Sequence, residues 1–382
     1  MSNNSIIRTG WEVATVGEVL KLKSGDFLNF ASMDSSGIYP VYGGNGINGY
    51  HSTFMFEESK IVIGRVGVYC GSIHYTQPNS WITDNALYVV EKDPRLLDEY
   101  LVLALRYANL NQYSSQSGQP LISTSKINNV KILIPPLAEQ RRIAGLLARA
   151  DRLRRLRRYA RQLSDTYLQS VFVEMFYKQA NKSWPKQRIG GLVLKGTNKI
   201  RTGPFGSQLL HSEFREEGDV AVLGIDNAVQ NFFAWGKPRY ITLERYKQLK
   251  RYTVFPGDVI ITIMATTGRC AVVPESIPLA INTKHLCCIT LDQEKCLPSF
   301  LHASFLYSPL VLRQMGGSER GAIMPGLNME IIKNLEISLP PLTLQERFAD
   351  VVQRYERLRT QQVEAERQTE MLFQSLLAQA FS

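Results

Sequence analysis

Two stretches of the chain carry apolar residues at three- and four-residue steps. In the first these are Ile143, Leu146, Leu147, Ala150, Leu153, Leu156, Ala160, Leu163, Tyr167, Val171 and Met175. In the second they are Phe348, Val351, Val352, Tyr355, Leu358, Ala365, Met371, Leu372, Leu376 and Leu377. That spacing predicts an amphipathic helix in each. A Pro-Pro pair stands just upstream of both, where a missing N–H costs little, and no proline follows inside either stretch. Some 38 helical residues would span about 57 Å at roughly 1.5 Å per residue. A helix of that length with a narrow apolar stripe needs a partner along it, and the other copy is the obvious one. Elsewhere, short apolar runs such as VIITI (259–263), bounded by glycine-rich turns, predict strands.

The two helical stretches belong to a longer repeat. ILIPPLAEQRRIA (132–144) and ISLPPLTLQERFA (337–349) superpose at a shift of 205, which carries Pro135, Pro136, Leu137, Gln140, Arg142 and Ala144 onto Pro340, Pro341, Leu342, Gln345, Arg347 and Ala349. The same shift carries Pro120, Ile127 and Asn129 onto Pro325, Ile332 and Asn334, and LQSVFVEMF (168–176) onto FQSLLAQAF (373–381). Near the start of each half the shift is 173, pairing Trp11 and Gly17 with Trp184 and Gly190. The second globular half is therefore about thirty residues longer than the first. The frame repeats while its contents differ, which suggests two readers of unlike specificity on one scaffold.

Charge orients the helices. Residues 138–177 hold nine arginines against four acids, whereas 340–382 hold five arginines against six acids, with Glu364, Glu366 and Glu370 clustered. Antiparallel pairing sets the arginine-rich start of the first helix against the acid-rich end of the second. RLRRLRRYAR (152–161) then reads mainly as an ion-paired, solvated face, with phosphate contact as the sharper alternative. Such a pairing would leave the globular halves at opposite ends of a rod, related by a pseudo-twofold axis.

Composition narrows the class without fixing it. A chain of 382 residues with 44% hydrophobic and 20% charged residues can bury more than one core. The formal charge of +10 points to a polyanionic partner, nucleic acid before membrane. Five cysteines without a C-x-x-C pair suggest reduced thiols in a cytoplasmic protein. No secretion signal opens the sequence, and no apolar run approaches the roughly 18 residues of a membrane span.

The Trp-x5-Gly opening, a variable strand-rich region, a strand ending in Ile-Pro-Pro-Leu-x-Glu-Gln or its variant, and a long helix, all repeated, resemble the specificity subunit of type I restriction–modification systems. IYPVYGGNGINGYHS (38–52), KIVIGRVGVYCGSI (60–73) and FPGDVIITIMATTGRCAVV (255–273) are similar to strands of its target recognition domains. The resemblance covers essentially the whole chain; LTLQERFA lacks the glutamate before Gln345, and the N-terminal half is compact. It implies an α+β fold: target recognition domain 1 at 1–134, a central spacer helix at 135–181, target recognition domain 2 at 182–339 and a C-terminal spacer helix at 340–382, the helices forming an antiparallel coiled coil. It further implies a non-catalytic subunit that reads a bipartite, asymmetric double-stranded DNA target. Two methyltransferase subunits would dock on it and bind S-adenosylmethionine, restriction–translocase subunits would join them, and this chain would hold no cofactor of its own.

The residues agree with an absence of catalysis. The Pro-Pro pairs are preceded by Ile134 and Leu339 rather than by the Asn or Asp of an adenine-methyltransferase N/D-P-P-Y/F motif, and no G-x4-G-K-[ST] phosphate loop is present. GPFGSQ (203–208) lacks a lysine and reads as a turn, Asp258 reads as the turn residue before VIITI, and the five histidines show no metal-ligand spacing. Direct reading of bases needs Arg, Lys, Asn, Gln and Ser on loops that glycine lets approach closely. In the first half the candidates are Tyr42, Asn45, Asn48, Arg65, Gln116 and Gln119, from YGGNGINGY (42–50), GRVG (64–67) and SSQSGQP (114–120). In the second half they are Lys199, Arg201, Ser207, Gln208, Asn227, Arg269, Lys284, Ser318 and Arg320. Tyr42, Phe232 and Phe233 could stack on a base, with core packing as the plainer role. Two other functions fit the same frame: the recognition subunit of a type IIB-like system, and a coiled-coil adaptor that binds proteins. The sequence does not specify the target bases.

Overall fold

The computed structural model describes residues 10–29, 33, 36–115, 119–178, 184–196, 198–316 and 326–381. The chain divides into two compact units: unit 1 is Met1–Tyr159 with Glu364–Ser382, and unit 2 is Ala160–Val363.

Unit 1 begins with β1 (Glu12–Thr15), α1 (Val16–Val19) and β2 (Leu20–Ser24). A hairpin of β3 (Tyr39–Gly43) and β4 (Gly46–His51) follows, then β5 (Ile61–Gly64), β6 (Ile73–Tyr75), β7 (Trp81–Ile82) and β8 (Ala86–Lys92). The strands form an antiparallel sheet in the order β2-β8-β5-β6 and a second sheet β4-β3-β7, in which β3 and β7 run parallel. All four residues of β5, IVIG, are buried, as a continuous apolar run in a central strand requires. Next come α2 (Asp98–Tyr107), α3 (Thr124–Ile127) and β9 (Lys131–Ile134), which pairs back with β1. Helix α2 buries Tyr100, Leu101, Ala104 and Leu105, a helical stripe, in the unit 1 core. The first long helix, α4 (Leu137–Asp165), adds Ile143, Leu147 and Ala150 to that core.

The topology then recurs. After α5 (Tyr167–Phe176), unit 2 contains β10 (Lys186–Arg188), β11 (Ile200–Thr202), β12 (Val220–Leu223), β13 (Tyr240–Ile241), α6 (Leu243–Leu249) and β14 (Thr253–Val254). It continues with β15 (Val259–Thr262), β16 (Cys270–Val272), β17 (Ala280–Asn282), β18 (Leu286–Ile289) and α7 (Pro298–Tyr307). Last are α8 (Pro309–Gln314), α9 (Met329–Asn334), β19 (Glu336–Ser338) and α10 (Leu342–Phe381). The sheet β11-β18-β15-β16 repeats the order of β2-β8-β5-β6. In β13-β12-β17-β14 the parallel pair β12–β17 stands where β3–β7 stands in unit 1. Strands β10 and β19 pair as β1 and β9 do. The added length of unit 2 falls partly between β12 and β15, where α6 and β14 have no counterpart.

The two alignment shifts meet in the packing of the conserved glycines. The amide of Gly17 donates to the Asn128 carbonyl at 2.9 Å, and a Cβ there would lie 3.0 Å from Asn128 Cβ. A Cβ at Gly190 would lie 3.1 Å from the carbonyl of Lys333, the residue 205 positions after Asn128. The close approach of the opening segment to the end of the short helix preceding β9 or β19 thus requires glycine in both units.

Within each unit the long helices run antiparallel. In unit 1 Arg154 pairs with Glu370 at 3.1 Å and Arg158 with Glu366 at 3.6 Å, so the numbering falls on one helix as it rises on the other. The arginine-to-acid matching expected from charge is therefore present there. In unit 2 Gln362 donates to Ser164 Oγ at 2.9 Å, while Phe172 and Phe176 pack on Phe348.

Two expectations about these helices need correction. The first stretch is not one continuous helix, because α4 and α5 are separated at Thr166. Three hydroxyls donate to helix carbonyls there: Ser164 to Ala160, Thr166 to Leu163, and Ser170 to Thr166. Such back-bonding bends helices. The apolar stripes also do not stay buried throughout. Leu153, Leu156, Leu163 and Tyr167 in the first stretch, and Leu358, Met371 and Leu372 in the second, are exposed. Ile143, Leu147, Ala150 and Phe348 of the stripes are buried, and Phe172, Phe176, Phe373, Ala380 and Phe381, which the stripes did not include, are buried with them.

Candidate nucleic-acid interface

In unit 1 the structure gathers several separate sequence segments around the turn after β7. The β3–β4 hairpin is closed by Gly44 and Asn45, so YGGNGINGY is two strands and a tight turn rather than a loop. The Asn48 amide lies over Gly43. The Arg65 amide donates to the Asn85 carbonyl at 2.9 Å, and its Nη1 donates to Ser24 Oγ at 3.2 Å and to the Asp84 carbonyl at 3.3 Å. Gly67 donates to the Pro120 carbonyl, which brings GRVG beside Gln119. Asn45, Asn48, Asn85 and Gln119 are exposed on this surface, and Arg65 is half-buried. Behind the hairpin turn, Ser72 donates to the Gly44 carbonyl at 2.5 Å and lies 3.0 Å from His74 Nε2. Burial, followed by the charge of Arg106, lowers the His74 pKa from its ordinary value.

Unit 2 has a cleft of about 570 Å³ at the corresponding strand ends. Its apolar lining includes Leu209, Phe214, Ile225 and Val229, and its polar lining includes His211, Lys237, Arg239, Lys284 and His285. Asp226 is the acid of this lining and is held by Arg239 at 2.5 Å. Burial lowers the His285 pKa, and Lys284, His211 and Arg239 push in the same direction. At neutral pH the imidazole is therefore uncharged and offers one donor and one acceptor. A cleft lined by both apolar and basic side chains suits a polyanion whose flat groups can enter it.

Some residues expected at this surface are internal instead. Arg201 is 5% exposed; its guanidinium pairs with Asp258 at 2.5 Å and donates to the Thr253 carbonyl and Thr290 Oγ1. An arginine so enclosed braces the sheet and presents no fork outward. Asn227 is buried, accepting from the Gly224 amide and donating to the Ala234 carbonyl. Tyr42 is a core residue whose hydroxyl accepts from the Gln77 amide. Asp258 does cap its turn, accepting from the Phe255 amide at 2.8 Å, and it also serves Arg201, Thr290 and Cys288.

The remaining candidates divide by position. Ser207, Gln208 and Arg269 are exposed, although Gln208 Oε1 already accepts from Arg251 and Tyr252. Lys199 and Lys284 are half-buried. Gln116, Ser318 and Arg320 lie outside the described residues, as does most of GGSERGAIMPG. Phe232 lies under the Arg359 guanidinium at 3.7 Å, and Phe233 packs against the unit 2 core, so neither is a free stacking platform. Sequence reading missed Asp84, Asn85, His211, Lys237, Arg239 and His285. The available signal was positional: Thr83-Asp84-Asn85 and Thr283-Lys284-His285 follow short strands at a shift of 200.

All five cysteines are free and buried. Among the described residues no helix is long and apolar enough to cross a membrane.

Comparison with known proteins bears on this arrangement. The family model described as type I restriction modification DNA specificity domain matches residues 8–161 and again 175–370. The EcoprrI type I restriction enzyme specificity subunit of Escherichia coli is 32% identical over 143 residues, 36% of this chain and 35% of that protein, so this alignment spans about a third of the relative. The MjaVIII type I restriction enzyme specificity subunit of Methanocaldococcus jannaschii is 22% identical over 366 residues, 89% of this chain and 84% of that protein. The crystal structure of a type I restriction–modification S subunit from M. genitalium shares the fold, with a TM-score of 0.62 at 16% identity over 100% of this chain and 98% of that one. A chain from a structural study of complex assembly and conformational transition of the type I restriction–modification system has a TM-score of 0.60 at 18% identity, covering 98% of each chain. With the same family model falling once on each copy of the repeated frame, the chain belongs to the type I restriction–modification DNA specificity family.

Proposed function

We propose that this chain is the non-catalytic specificity subunit of a type I restriction–modification complex. Each unit reads one part of a split, asymmetric double-stranded DNA target, with target recognition domains at 1–134 and 182–339 and spacer helices at 135–181 and 340–382. The observation that carries this reading is the repeated strand frame bearing unlike polar turns, Asp84-Asn85 in unit 1 and Lys284-His285 in unit 2, on a chain of net charge +10. One frame with two chemistries suits two different half-sites. Two methyltransferase subunits are the proposed partners on the helices, bringing S-adenosylmethionine with them, and restriction–translocase subunits join that assembly. Exposed Leu153, Leu156 and Tyr159 in unit 1, and Leu163, Tyr167 and Leu358 in unit 2, support a helical docking role because each unit leaves large apolar side chains uncovered. The proposed place of action is the cytoplasm, where the DNA lies.

Adenine-methylation sequencing of cells with and without this chain tests the proposal. The expected result is a bipartite motif with two unlike halves that is methylated only when the chain is present. An identical methylation pattern in both strains overturns it.

A further inference from the structure

The turn after β7 in unit 1 and the turn after β17 in unit 2 occupy one and the same place in the repeated frame. The Thr83 amide donates to the carbonyl of Tyr42 at the end of β3, and the Thr283 amide donates to the carbonyl of Leu223 at the end of β12, each at 2.9 Å. The third residue of each turn accepts from the residue just past β5 or β15: Arg65 donates to the Asn85 carbonyl, and Ile263 to the His285 carbonyl, both at 2.9 Å. A glycine after the first strand of the antiparallel sheet backs each turn. A Cβ at Gly25 would lie 2.3 Å from the Ile82 carbonyl oxygen, and one at Gly203 would lie 2.1 Å from the Asn282 carbonyl oxygen. The backbone of both turns is therefore pinned on three sides. Side chains carried on so fixed a turn have a defined direction, which is what discrimination between base edges requires.

The backbone is shared, but the charge is inverted. Unit 1 presents Asp84 and Asn85 where unit 2 presents Lys284 and His285. In unit 1 the turn lies beside Arg65 and the Gly44–Asn45 hairpin turn. In unit 2 it lines the cleft of about 570 Å³, with His211 and Arg239 near His285.

We infer that these two turns are the principal base-reading positions of their units, with Lys284 of unit 2 directed at a guanine edge and Asp84-Asn85 of unit 1 directed at a cytosine or adenine edge. A lysine donates to guanine O6 and N7; a carboxylate accepts from cytosine N4, and an asparagine side chain pairs with adenine N6 and N7. His285, uncharged and able to donate and accept, accompanies Lys284. This inference rests on the reading of each unit as a DNA recogniser.

Selection from random-sequence DNA duplexes by the purified full-length chain tests it, with Lys284→Asp plus His285→Asn grafting the unit 1 turn onto unit 2. The wild type is expected to enrich a bipartite motif with a guanine in one half. The double variant is expected to lose at least about tenfold of its preference at one position of that half while the other half stays unchanged. An unchanged motif overturns the inference, and so does a uniform loss of affinity across all sequences, which marks a phosphate contact. If the double variant lacks a cooperative thermal transition, Lys284→Gln alone serves, with the same two overturning outcomes. A wild type that enriches no sequence at all is a different result, since it removes the proposed function itself.

Discussion

The side chain of Gln140 closes the start of α4 onto the start of α2: its Oε1 accepts the Leu97 amide at 2.9 Å. Its Nε2 donates to the carbonyls of Arg95 and Pro135, both at 2.8 Å. Gln345 repeats this in unit 2, accepting from Leu297 at 2.9 Å and donating to Lys295 and Pro340. Both glutamines are fully buried. The Pro-Pro-Leu-x-x-Gln motif is therefore a clamp: the prolines start the long helix, and the glutamine satisfies the orphan donor at the start of the helix beside it.

Replacing Gln140 by methionine, which is of similar size, leaves one buried donor and two buried acceptors short of a partner. The expected cost is about 3–9 kcal/mol, at roughly 1–3 kcal/mol for each of the three groups left unsatisfied. Urea denaturation followed by fluorescence checks it; a midpoint equal to that of the wild type would show that the clamp contributes nothing.

Asp258 and Arg201 form a pair with side chains 0% and 5% exposed, further bonded to Thr290 and Cys288. Asp258→Ala leaves a buried guanidinium without its counter-charge and is expected to cost about 3–5 kcal/mol. Replacing both, with Arg201→Met and Asp258→Leu, is expected to recover most of that loss, because neither charge then has to be desolvated. A double variant no more stable than Asp258→Ala would contradict this. Sequence preference should survive in the double variant, since Arg201 does not reach the surface.

Phe381 ties the end of α10 to unit 1, with its ring centroid 5.1 Å from that of Tyr107 and 5.5 Å from that of Tyr100. Phe381→Ala should cost about 3–5 kcal/mol, the usual range for deleting a buried phenylalanine ring. The loss should appear as faster amide exchange in α2, and unaltered protection of α2 would refute the assignment.

His302 is buried, with Nε2 3.0 Å from the Asn231 carbonyl and 3.1 Å from the Cys270 carbonyl, so this nitrogen carries the proton in the neutral ring. Burial lowers its folded-state pKa below 6.5, and the two carbonyl contacts only partly oppose that. The unfolded chain therefore takes up a proton near pH 6.5 that the folded chain refuses. This contribution to stability is full above that pH and declines as pH falls through it, by at most about 1.4 kcal/mol per pH unit for one proton. His302→Gln keeps a donor and should flatten that part of the stability–pH curve. Parallel curves for variant and wild type between pH 7 and 5 would rule the linkage out.

Much of the architecture was legible in sequence because its signals are local or self-referential. Period-3.6 stripes mark helices, Pro-Pro marks their starts, and the shift of 205 reveals the repeat. The stripes overreached at Leu153 and Met371, because periodicity shows which residues share a face but not what covers it. The break at Thr166 depends on three hydroxyls choosing backbone carbonyls over solvent, a choice that propensity alone does not make. The site was harder to read. Polar residue type did not separate Arg201, enclosed by Asp258 and Thr290, from Lys284, which lines a cleft.

By itself, then, the sequence determined that one frame is written twice with unlike contents, that each copy ends in a long helix, and that no residue pattern for catalysis accompanies it. Only the tertiary structure decided which of the unlike contents share a place. Thr83-Asp84-Asn85 and Thr283-Lys284-His285 have no local signature; they correspond because each turn hangs from the end of a parallel strand neighbour and is pressed by a glycine from another strand. Those are long-range backbone contacts, fixed by sheet pairing rather than by neighbours along the chain, and they set the direction in which the differing side chains point.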